Sequence, residues 1–352
     1  MKVAILRNEE QDSAKKWKIA CQKKGLEYEE INLTSYQWFE NVINKPFDFF
    51  LLRPSGNLSH FKQMYDERLY IIAKILKLTT FPTYEECLIY ENKRLLSYFL
   101  KANKIPHPST NVFYSKMEAT EFLRHQKFPV IAKTSIGASG TGVKVLKDFS
   151  QAKNYVSKAF SNKGIKRSFG PNRSTGSPSK WAEKAIKSPG YFKKKLKQYL
   201  TTYKHGESDF LIFQKYIPHN YEWRMVRIGN SYFGHQKVKQ GDKASGTKGI
   251  DYVDPPKELL NFTKELCEKY NFNFMAVDLF EDGEGGYLVN ELQTIFGHVQ
   301  DYILEVEGKP GRYLYQNKQW IFEEGEFNTN ESYDLRLETA IELFKKQNSE
   351  RS

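Results

Sequence analysis

A glycine-rich loop between two β-branched runs constrains this chain more than any other feature. The run Val130–Ala132 leads into Lys133, residues 136–142 read Ile-Gly-Ala-Ser-Gly-Thr-Gly, and the run Val143–Leu146 follows. Glycines at this spacing let backbone N–H groups approach an anion, and a lysine beside them can neutralise phosphate. The residues after the loop favour a strand over a helix, which excludes the P-loop and the dinucleotide fingerprint. The segment is predicted to be a β-hairpin that covers a nucleotide phosphate, although alone it is more simply an ordinary flexible hairpin.

Length and composition indicate a globular protein of several subdomains. The chain has 352 residues, of which 39% are hydrophobic and 15% aromatic, enough for a large core and two or three subdomains. Cys21, Cys87 and Cys267 are too widely separated to suggest disulfides or a zinc site. No apolar run has the length of a membrane span, and the first residues lead directly into a strand without signal-peptide architecture. We therefore expect a cytoplasmic protein.

Nearly all of the net charge of +12 is concentrated in one segment, because residues 160–206 contain twelve Lys or Arg and one acid. A solvated, charged insertion explains such a run most simply. The alternative is a docking surface for a polyanion or an acidic membrane surface. Nucleic acid is not expected as a partner, because no helix-turn-helix, RNA-recognition or zinc pattern accompanies the charge.

Strand and helix signals alternate over residues 1 to about 90. The strands are predicted at Val3–Leu6, Tyr28–Leu33 and Phe47–Arg53, and the helices at Ser13–Gly25 and Leu58–Leu78. This order predicts a small parallel sheet with helices on its faces. Because such sheets bind ligands at their strand ends, Arg53 is a candidate substrate contact, and equally well a surface arginine on a turn.

The remaining chain mixes helices with hairpins. Helices are predicted at Glu91–Leu100, Lys116–His125, Phe262–Asn271 and from about Glu331, and strands at Phe210–Ile217, Glu222–Gly229, Ser231–Val238, Phe274–Phe280 and Tyr287–Leu292, with an aromatic hairpin over residues 311–322. The fold class is therefore α/β with α+β elements. We expect an N-terminal domain at 1–90, a domain at 91–208 with the phosphate hairpin and the basic segment, and a domain at 209–352.

Two acids lie within consecutive predicted strands. Asp278 shares a strand face with Ala276 and Phe280, so a carboxylate interrupts an otherwise apolar row, and Glu291 lies in the next strand. Carboxylates paired in this way, in a chain that has a phosphate loop, suggest Mg²⁺ coordination that bridges to nucleotide phosphates.

Taken in order, these motifs resemble the ATP-grasp superfamily, which includes D-alanine–D-alanine ligase, glutathione synthetase and the ribosomal-protein glutamate ligases. The ordered set consists of Lys93, Lys133, the glycine loop, Gln214-Lys-Tyr-Ile217, Glu222-x-Arg224, Asp278 and Glu291. The resemblance covers nearly the whole chain, from the N-terminal domain to about residue 300. The resemblance implies that the N-terminal parallel sheet is followed by a two-lobed ATP-grasp domain with antiparallel sheets.

The resemblance also implies a role for each matching position. The residues implied to bind ATP are Lys93, Lys133, Gly137, Ser139, Gly140, Thr141, Gly142, Gln214, Lys215, Tyr216, Ile217 and Glu222. Within this set the 214–217 stretch would read the adenine edge through its backbone, and Glu222 would hold the ribose. Arg224 and Lys133 would stabilise charge during phosphoryl transfer. Asp278, Glu291 and Gln293 would hold Mg²⁺, and Mn²⁺ could serve in its place.

The chain departs from the family pattern at several positions. Gln293 stands where the family usually has asparagine, and its longer side chain shifts the metal geometry. Lys215 stands where a glutamate is common, which backbone recognition of adenine would tolerate. The family's arginine before the metal strands has no clean counterpart, and Lys237, Lys239 or Lys243 could replace it.

By resemblance, the chain is expected to be an ATP-dependent carboxylate–amine ligase that forms an amide through an acyl-phosphate. Its substrates would be a small-molecule, peptide or saccharide carboxylate and an amine, and the basic segment favours an anionic acceptor such as a sugar acid, an acidic peptide or a nucleotide-linked intermediate. His298 is a candidate substrate contact. A kinase on the same scaffold and a non-catalytic polyanion-binding module with a relic nucleotide pocket remain as alternatives. An oligomer is compatible with the sequence.

Overall fold

The computed structural model of the protein describes residues 1–137, 140–167, 190, 206–240, 243–244, 249–298 and 300–350. Ser139 and most of the basic segment, residues 168–189 and 191–205, lie outside the described residues. In the part of the chain that is described, no helix is both long and apolar enough to cross a membrane. Cys21, Cys87 and Cys267 are buried free thiols.

The N-terminal strands form a four-stranded parallel sheet in the order β2-β1-β3-β4. The strands are β1 (Lys2–Arg7), β2 (Glu27–Asn32), β3 (Phe49–Leu52) and β4 (Thr80–Phe81). The helices around them are α1 (Lys15–Lys23), α2 (Trp38–Ile43), α3 (Ser59–Tyr70) and α4 (Tyr84–Ile89). Strand β3 is buried along its whole length, which is why it reads as an uninterrupted apolar run. The predicted parallel sheet is confirmed.

The glycine loop joins two strands of a small antiparallel sheet, whose order is β5-β8-β6-β7. The strands are β5 (Thr110–Phe113), β6 (Val130–Lys133), β7 (Val143–Leu146) and β8 (Leu211–Lys215), and the helices are α5 (Lys93–Ala102), α6 (Lys116–Arg124) and α7 (Phe149–Ala159). Lys133 pairs with Val143 across the β6–β7 hairpin, so the predicted strand–loop–strand arrangement is confirmed.

The third sheet is larger, with a main path of β14-β13-β9-β10-β16-β15. Its strands are β9 (Tyr221–Ile228), β10 (Ser231–Gln240), β11 (Lys243–Ala244), β12 (Ile250–Asp251), β13 (Phe274–Glu281), β14 (Tyr287–Gln293), β15 (Leu304–Val306), β16 (Lys309–Gln316) and β17 (Gln319–Glu324). The accompanying helices are α8 (Lys257–Lys269), a 3₁₀ turn (Thr329–Ser332) and α9 (Tyr333–Ser349). The predicted hairpins β9–β10, β13–β14 and β16–β17 are confirmed.

Helix α9 ties the two ends of the chain together. Its first residue, Tyr333, packs edge-on against Trp17 of α1 with ring centroids 4.7 Å apart. Lys23 and Asp334 form an ion pair of 2.6 Å between the same two helices. One buried cluster therefore contains apolar side chains of the N-terminal sheet, of α9 and of the large sheet. This packing places the parallel sheet beside β13, the strand that carries Asp278.

The fold class predicted from the sequence is confirmed, and several details differ. The helix predicted at Phe262–Asn271 begins earlier, at Lys257, and ends at Lys269. The helix predicted at Leu58–Leu78 is α-helical only to Tyr70 and continues as a π-helix over Ile71–Ile75. Strand β5 falls in a stretch after Ile105-Pro-His-Pro that reads as an extended connector. The predicted domain bounds of 1–90, 91–208 and 209–352 stay a prediction.

Candidate active site

A cavity of about 700 Å³ lies between the small antiparallel sheet and the large sheet. Many of the candidate residues line it. These are Lys93, Lys133, Gly137, Gly140, Gln214, Lys215, Tyr216, Ile217, Glu222, Arg224, Lys237, Asp278, Glu291, Gln293 and His298. Thr141, Gly142 and Arg53 are described but do not line the cavity.

Asp278 lies at the centre of an ion-pair network on neighbouring strands. Its two carboxylate oxygens each accept a hydrogen bond of 2.8 Å from the Arg224 guanidinium, and Lys237 Nζ lies 2.7 Å from Oδ2. Lys237 also pairs with Glu222 at 2.8 Å. Strand register explains the grouping, because Arg224 and Glu291 are the direct cross-strand partners of Asp278 on its two sides.

A second group joins the small sheet and helix α5 to strand β14. Lys93, the first residue of α5, lies 2.8 Å from Glu291 Oε1. Lys133 Nζ, at the end of β6, donates a hydrogen bond of 2.8 Å to Asn290 Oδ1. Arg224 Nη2 lies 3.5 Å from Oε1 of Gln293, the last residue of β14. The contacts of β14 are thereby connected to the ion pairs around Asp278.

These contacts set the protonation of the site. Burial opposes ionisation of Asp278, but Arg224 and Lys237 hold the pKa of its carboxyl below the ordinary range. Burial is likewise outweighed at Glu291, where Lys93 lowers the pKa. Lys133 differs, because burial lowers its pKa to about 8 despite the attraction of Glu291. The acids are therefore ionised at neutral pH, while Lys133 titrates close to it.

The base of the glycine loop is held by two carboxylates of the chain itself. Glu207 accepts hydrogen bonds from the backbone N–H groups of Ser135 at 2.6 Å and Ile136 at 2.9 Å. Glu91 Oε2 accepts one from Gly137 N–H at 2.8 Å, and Glu91 is itself buried in the left-handed region with φ of 49°. Consecutive N–H groups that converge on anions are the geometry of a phosphate-binding nest.

One part of the cavity wall, formed by strands of the small sheet, the residues after β8 and the end of β13, is largely apolar. The residues that shape it are Ile131, Val143, Tyr216, Ile217, His219 and Phe280. Tyr216 and Ile217 follow β8 directly, so their backbone is no longer part of the strand. The rings of His219 and Phe280 pack 4.6 Å apart in this part of the wall. A flat heteroaromatic ring fits a slot with such walls.

No family model matches the sequence, and no curated protein matches it either. Solved structures do match. D-alanine–D-alanine ligase from Bacillus anthracis is 14% identical, with 100% of each chain covered and a TM-score of 0.55. A RimK domain ATP-grasp protein from Sphaerobacter thermophilus is 16% identical, with 83% of this chain and 90% of that chain covered and a TM-score of 0.51. N5-carboxyaminoimidazole ribonucleotide synthetase from Thermotoga maritima is 13% identical, with 97% of this chain and 75% of that chain covered and a TM-score of 0.52.

The chain has the ATP-grasp fold. At these identities the similarity establishes the architecture, and the chemistry has to be argued from the residues of this chain. The cavity between the two sheets is the cleft of this ATP-grasp fold.

The donor set in the ATP-grasp cleft fits Mg²⁺. Among the described residues, no group of three or more His, Cys, Asp or Glu side chains has the spacing of a metal site. Mg²⁺ does not need one, since it commonly binds through one or two carboxylates and completes its octahedron with phosphate oxygens and water. Asp278 and Glu291 are ionised neighbours, and Gln293 offers an amide oxygen close by.

Charge balance favours the same conclusion. Six cationic and six acidic side chains line the cleft. They are Lys16, Lys93, Lys133, Lys215, Arg224 and Lys237, and Glu91, Glu222, Asp278, Glu291, Asp301 and Glu331. A triphosphate entering alone would leave this lining with a large negative excess in a poorly solvated place, which a divalent cation entering with it would offset.

Two residues that line the ATP-grasp cleft, Glu91 and Asn290, were not predicted from the sequence. Three residues that support it were not predicted either: Glu207 binds the base of the glycine loop, and Tyr252 and His235 lie against His298. Glu91 lies two positions before Lys93, and Asn290 lies directly before Glu291, so both were within reach of a search around known motif positions. Glu207 is the first acid after the basic segment, but nothing local indicates that it reaches the loop.

Proposed function

We propose that the protein is an ATP-dependent carboxylate–amine ligase. One observation carries the proposal: cations from helix α5, the small sheet and the large sheet converge on two adjacent carboxylates, in a cavity with a largely apolar part of its wall. This arrangement suits a nucleotide whose base lies in the apolar part and whose phosphates lie against the charged floor. Two proteins of the same fold support it, because one is a ligase and one a synthetase by name, and the Bacillus anthracis enzyme is complexed with ATP in one structure.

In this proposal the nucleotide is bound by residues from both sheets. Lys93 and Lys133 donate to phosphate oxygens, and the loop from Gly137 to Gly142 covers them. The backbone of Gln214–Ile217 reads the adenine edge, and Glu222 holds the ribose. Asp278, Glu291 and Gln293 would hold Mg²⁺ or Mn²⁺, which when bound neutralises phosphate charge and orients the transferred group.

Phosphoryl transfer would rely on positioning and charge neutralisation. A substrate carboxylate oxygen attacks the γ-phosphorus, the bond to the β–γ bridging oxygen breaks, and ADP leaves with the electron pair. Arg224 and Lys133 stabilise the charge that develops on the transferred group. An amine then attacks the acyl carbon, and inorganic phosphate leaves as the amide forms.

The basic segment of 160–206 supports an anionic acceptor. The positive charge would raise the local concentration of an anionic acid or amine and make its binding sensitive to salt. Neutralising Lys193, Lys194, Lys195 and Lys197 should raise the acceptor KM and flatten its salt dependence. Unchanged kinetics in that variant would remove the acceptor proposal and leave the ligase proposal intact.

The decisive experiment is a trap for the activated acid. The protein is incubated with ATP, Mg²⁺ and hydroxylamine, and with panels of amino acids, dipeptides and hexuronic acids, and hydroxamate and ADP are measured together. A ligase gives hydroxamate and ADP in equal amounts with at least one acid, and an amide when ammonia or glycine replaces hydroxylamine. A stable phosphorylated product without hydroxamate would instead indicate a kinase. If ATP with Mg²⁺ raises neither ADP release nor the melting temperature, the polyanion-binding module is favoured.

A further inference from the structure

One histidine of the cleft, His298, lies beside a tyrosine hydroxyl. His298 lines the cavity on the loop that follows β14, and its side chain is 8% exposed. Its Nε2 lies 2.7 Å from the hydroxyl oxygen of Tyr252. Either of these two atoms can be the donor, depending on the tautomer of the ring, and Nδ1 has no hydrogen-bond partner among the described residues.

The surroundings keep this imidazole neutral. The ring of His235 lies 4.9 Å from that of His298, and His235 is buried with Nε2 unpartnered among the described residues. Burial and the nearby Arg224 guanidinium lower the pKa of His298 to about 4. Burial also raises the pKa of Tyr252, so the phenol stays neutral beside it. At neutral pH the ring of His298 is therefore neutral, and one of its two nitrogens carries a lone pair.

Buried contacts fix the loop that carries His298. Arg336 of α9 donates a hydrogen bond of 3.0 Å to the carbonyl of Thr294, and its guanidinium packs 4.3 Å from the Phe296 ring. Arg336 is itself only 1% exposed. The loop is thus anchored two and four residues before His298, so the imidazole has a defined position rather than a mobile one.

Most of the other ionisable groups that line the cleft are cationic or already ion-paired. Arg224 and Lys237 are cationic, and Asp278 and Glu222 are paired with them. Lys93 pairs with Glu91 and Glu291, and Lys16 pairs with Glu331, which leaves Asp301 as the other carboxylate of the lining. The second neutral imidazole, His219, packs on Phe280 in the apolar part of the wall and lies 2.7 Å from the Ile217 carbonyl. That position is the adenine side of the cleft under the proposed function.

We propose that His298 is the general base of amide formation, in the tautomer whose Nε2–H donates to the Tyr252 oxygen and whose Nδ1 is unprotonated. The inference rests on the proposed ligase function. As the neutral amine attacks the acyl carbon, the N–C bond forms and the nitrogen becomes positively charged and strongly acidic. His298 Nδ1 takes one proton from that nitrogen, and phosphate leaves with the electrons of the C–O bond. Nε2–H donates to the Tyr252 oxygen throughout, which stabilises the imidazolium that forms.

Hydroxylamine separates this role from the first half-reaction, because it attacks acyl-phosphates without a base. His298→Gln and Tyr252→Phe are assayed with an acid that gives hydroxamate in the wild type, first with hydroxylamine and then with glycine. We expect hydroxamate formation within about twofold of the wild type, amide formation reduced by about 10²–10⁴-fold in His298→Gln, and a smaller loss in Tyr252→Phe. The matched control is His125→Gln, because His125 is an exposed histidine that directly follows α6.

Equal losses of hydroxamate and amide in His298→Gln would overturn the inference and assign His298 to acid binding or phosphoryl transfer. Absence of hydroxamate in the wild type would overturn the proposed function itself, and this inference with it. A second measurement needs no substrate: long-range ¹H–¹⁵N spectra of the full chain labelled at histidine, assigned with His298→Gln. We expect a neutral ring with Nδ1 unprotonated at neutral pH, and a mixture of tautomers in Tyr252→Phe. A charged ring or a protonated Nδ1 in the wild type would contradict the proposal.

Discussion

Lys133 and Asn290 join two sheets of this protein through one hydrogen bond of 2.8 Å, although they are 157 positions apart in the sequence. Lys133 ends a strand of the small antiparallel sheet, and Asn290 precedes Glu291 in the large one. The ammonium group therefore lies where the two halves of the cleft meet, in a place that water hardly reaches. Its protonation should be measurable both in stability and in ligand binding.

The pH dependence of Lys133 has a definite sign. Its pKa is about 8 in the folded protein and 10.5 ordinarily, so between these values the unfolded chain binds more protons than the folded one. Stability relative to Lys133→Met should therefore rise as pH increases from 8 to 10.5, as measured by chemical denaturation. A constant difference between the two proteins across this window would show that the pKa is not lowered.

The affinity for nucleotide should also depend on protonation of Lys133, and it should fall with increasing pH where stability rises. If the charged form of Lys133 binds phosphate, affinity for ATP with Mg²⁺ should weaken by up to about tenfold per pH unit above the pKa of about 8. Titration calorimetry across this range measures the slope. Lys133→Met should bind more weakly throughout and lack that slope. The same slope in both proteins would assign it to another group.

Asp278→Asn should separate metal-dependent from metal-independent nucleotide binding. The variant removes one negative charge and leaves Arg224 and Lys237 short of a partner, which should cost about 3–5 kcal/mol of stability. Affinity for ATP with Mg²⁺ should fall at least about 100-fold, because even residues that only contact metal ligands are worth 10–100-fold. Affinity for ATP in EDTA should stay equal or improve, since the site becomes more positive.

The control for that variant is Glu284→Gln, which removes one charge from the exposed β13–β14 turn. It should leave stability and both affinities unchanged. If Asp278→Asn instead lowers the affinity equally with Mg²⁺ and with EDTA, Asp278 orders the site and does not hold the metal.

Glu207→Gln tests whether the base of the glycine loop must be fixed by a carboxylate. Glu207 accepts hydrogen bonds from two backbone N–H groups. Glutamine can accept only one of them, because its NH₂ group would face the other N–H group. Loss of a charge-assisted hydrogen bond of about 1.5–3 kcal/mol should raise the Kd for ATP roughly tenfold or more. Exposed Glu118→Gln provides the comparison in a binding titration. Unchanged affinity with lowered stability would limit Glu207 to a structural role.

Gly142→Ala should disturb the loop through one atom of Thr134. A Cβ at position 142 would lie less than 3.0 Å from Thr134 Oγ1, which donates a hydrogen bond of 2.6 Å to the Ile136 carbonyl. We expect weaker ATP binding in Gly142→Ala and partial recovery when Thr134→Ala is added, because the second change removes the clashing oxygen. Additive losses in the double variant would rule out this contact as the cause.

Much of the site's chemistry was predictable from local sequence, and one part was overlooked. The turn at Gly229–Asn230 fixes the β9–β10 register, so counting outward from it places Glu222 opposite Lys237 and Arg224 opposite His235. The ion pair of Lys237 could therefore have been deduced. Its candidacy as a replacement for the family's arginine came from the resemblance instead.

Other contacts of the site depend on pairing and packing between elements that are far apart in the sequence. Asp278 reaches Arg224 only because β13 pairs with β9, and a helix and more than one strand separate them in sequence. Glu207 and Glu91 reach the glycine loop through packing of elements that share no local pattern. The π-helix after α3 likewise has no sequence signal, since its residues Ile71–Ile75 fit an α-helix equally well.

The carboxylates that cap the loop base and the cations that surround Asp278 and Glu291 have a common thermodynamic consequence. Backbone N–H groups of the loop base already bind acids of the chain, and Asp278 and Glu291 already have ammonium or guanidinium groups beside them. Under the proposed function, binding of nucleotide and cation is then an exchange of one set of ion pairs for another. The measured affinity would report the small difference between two large energies.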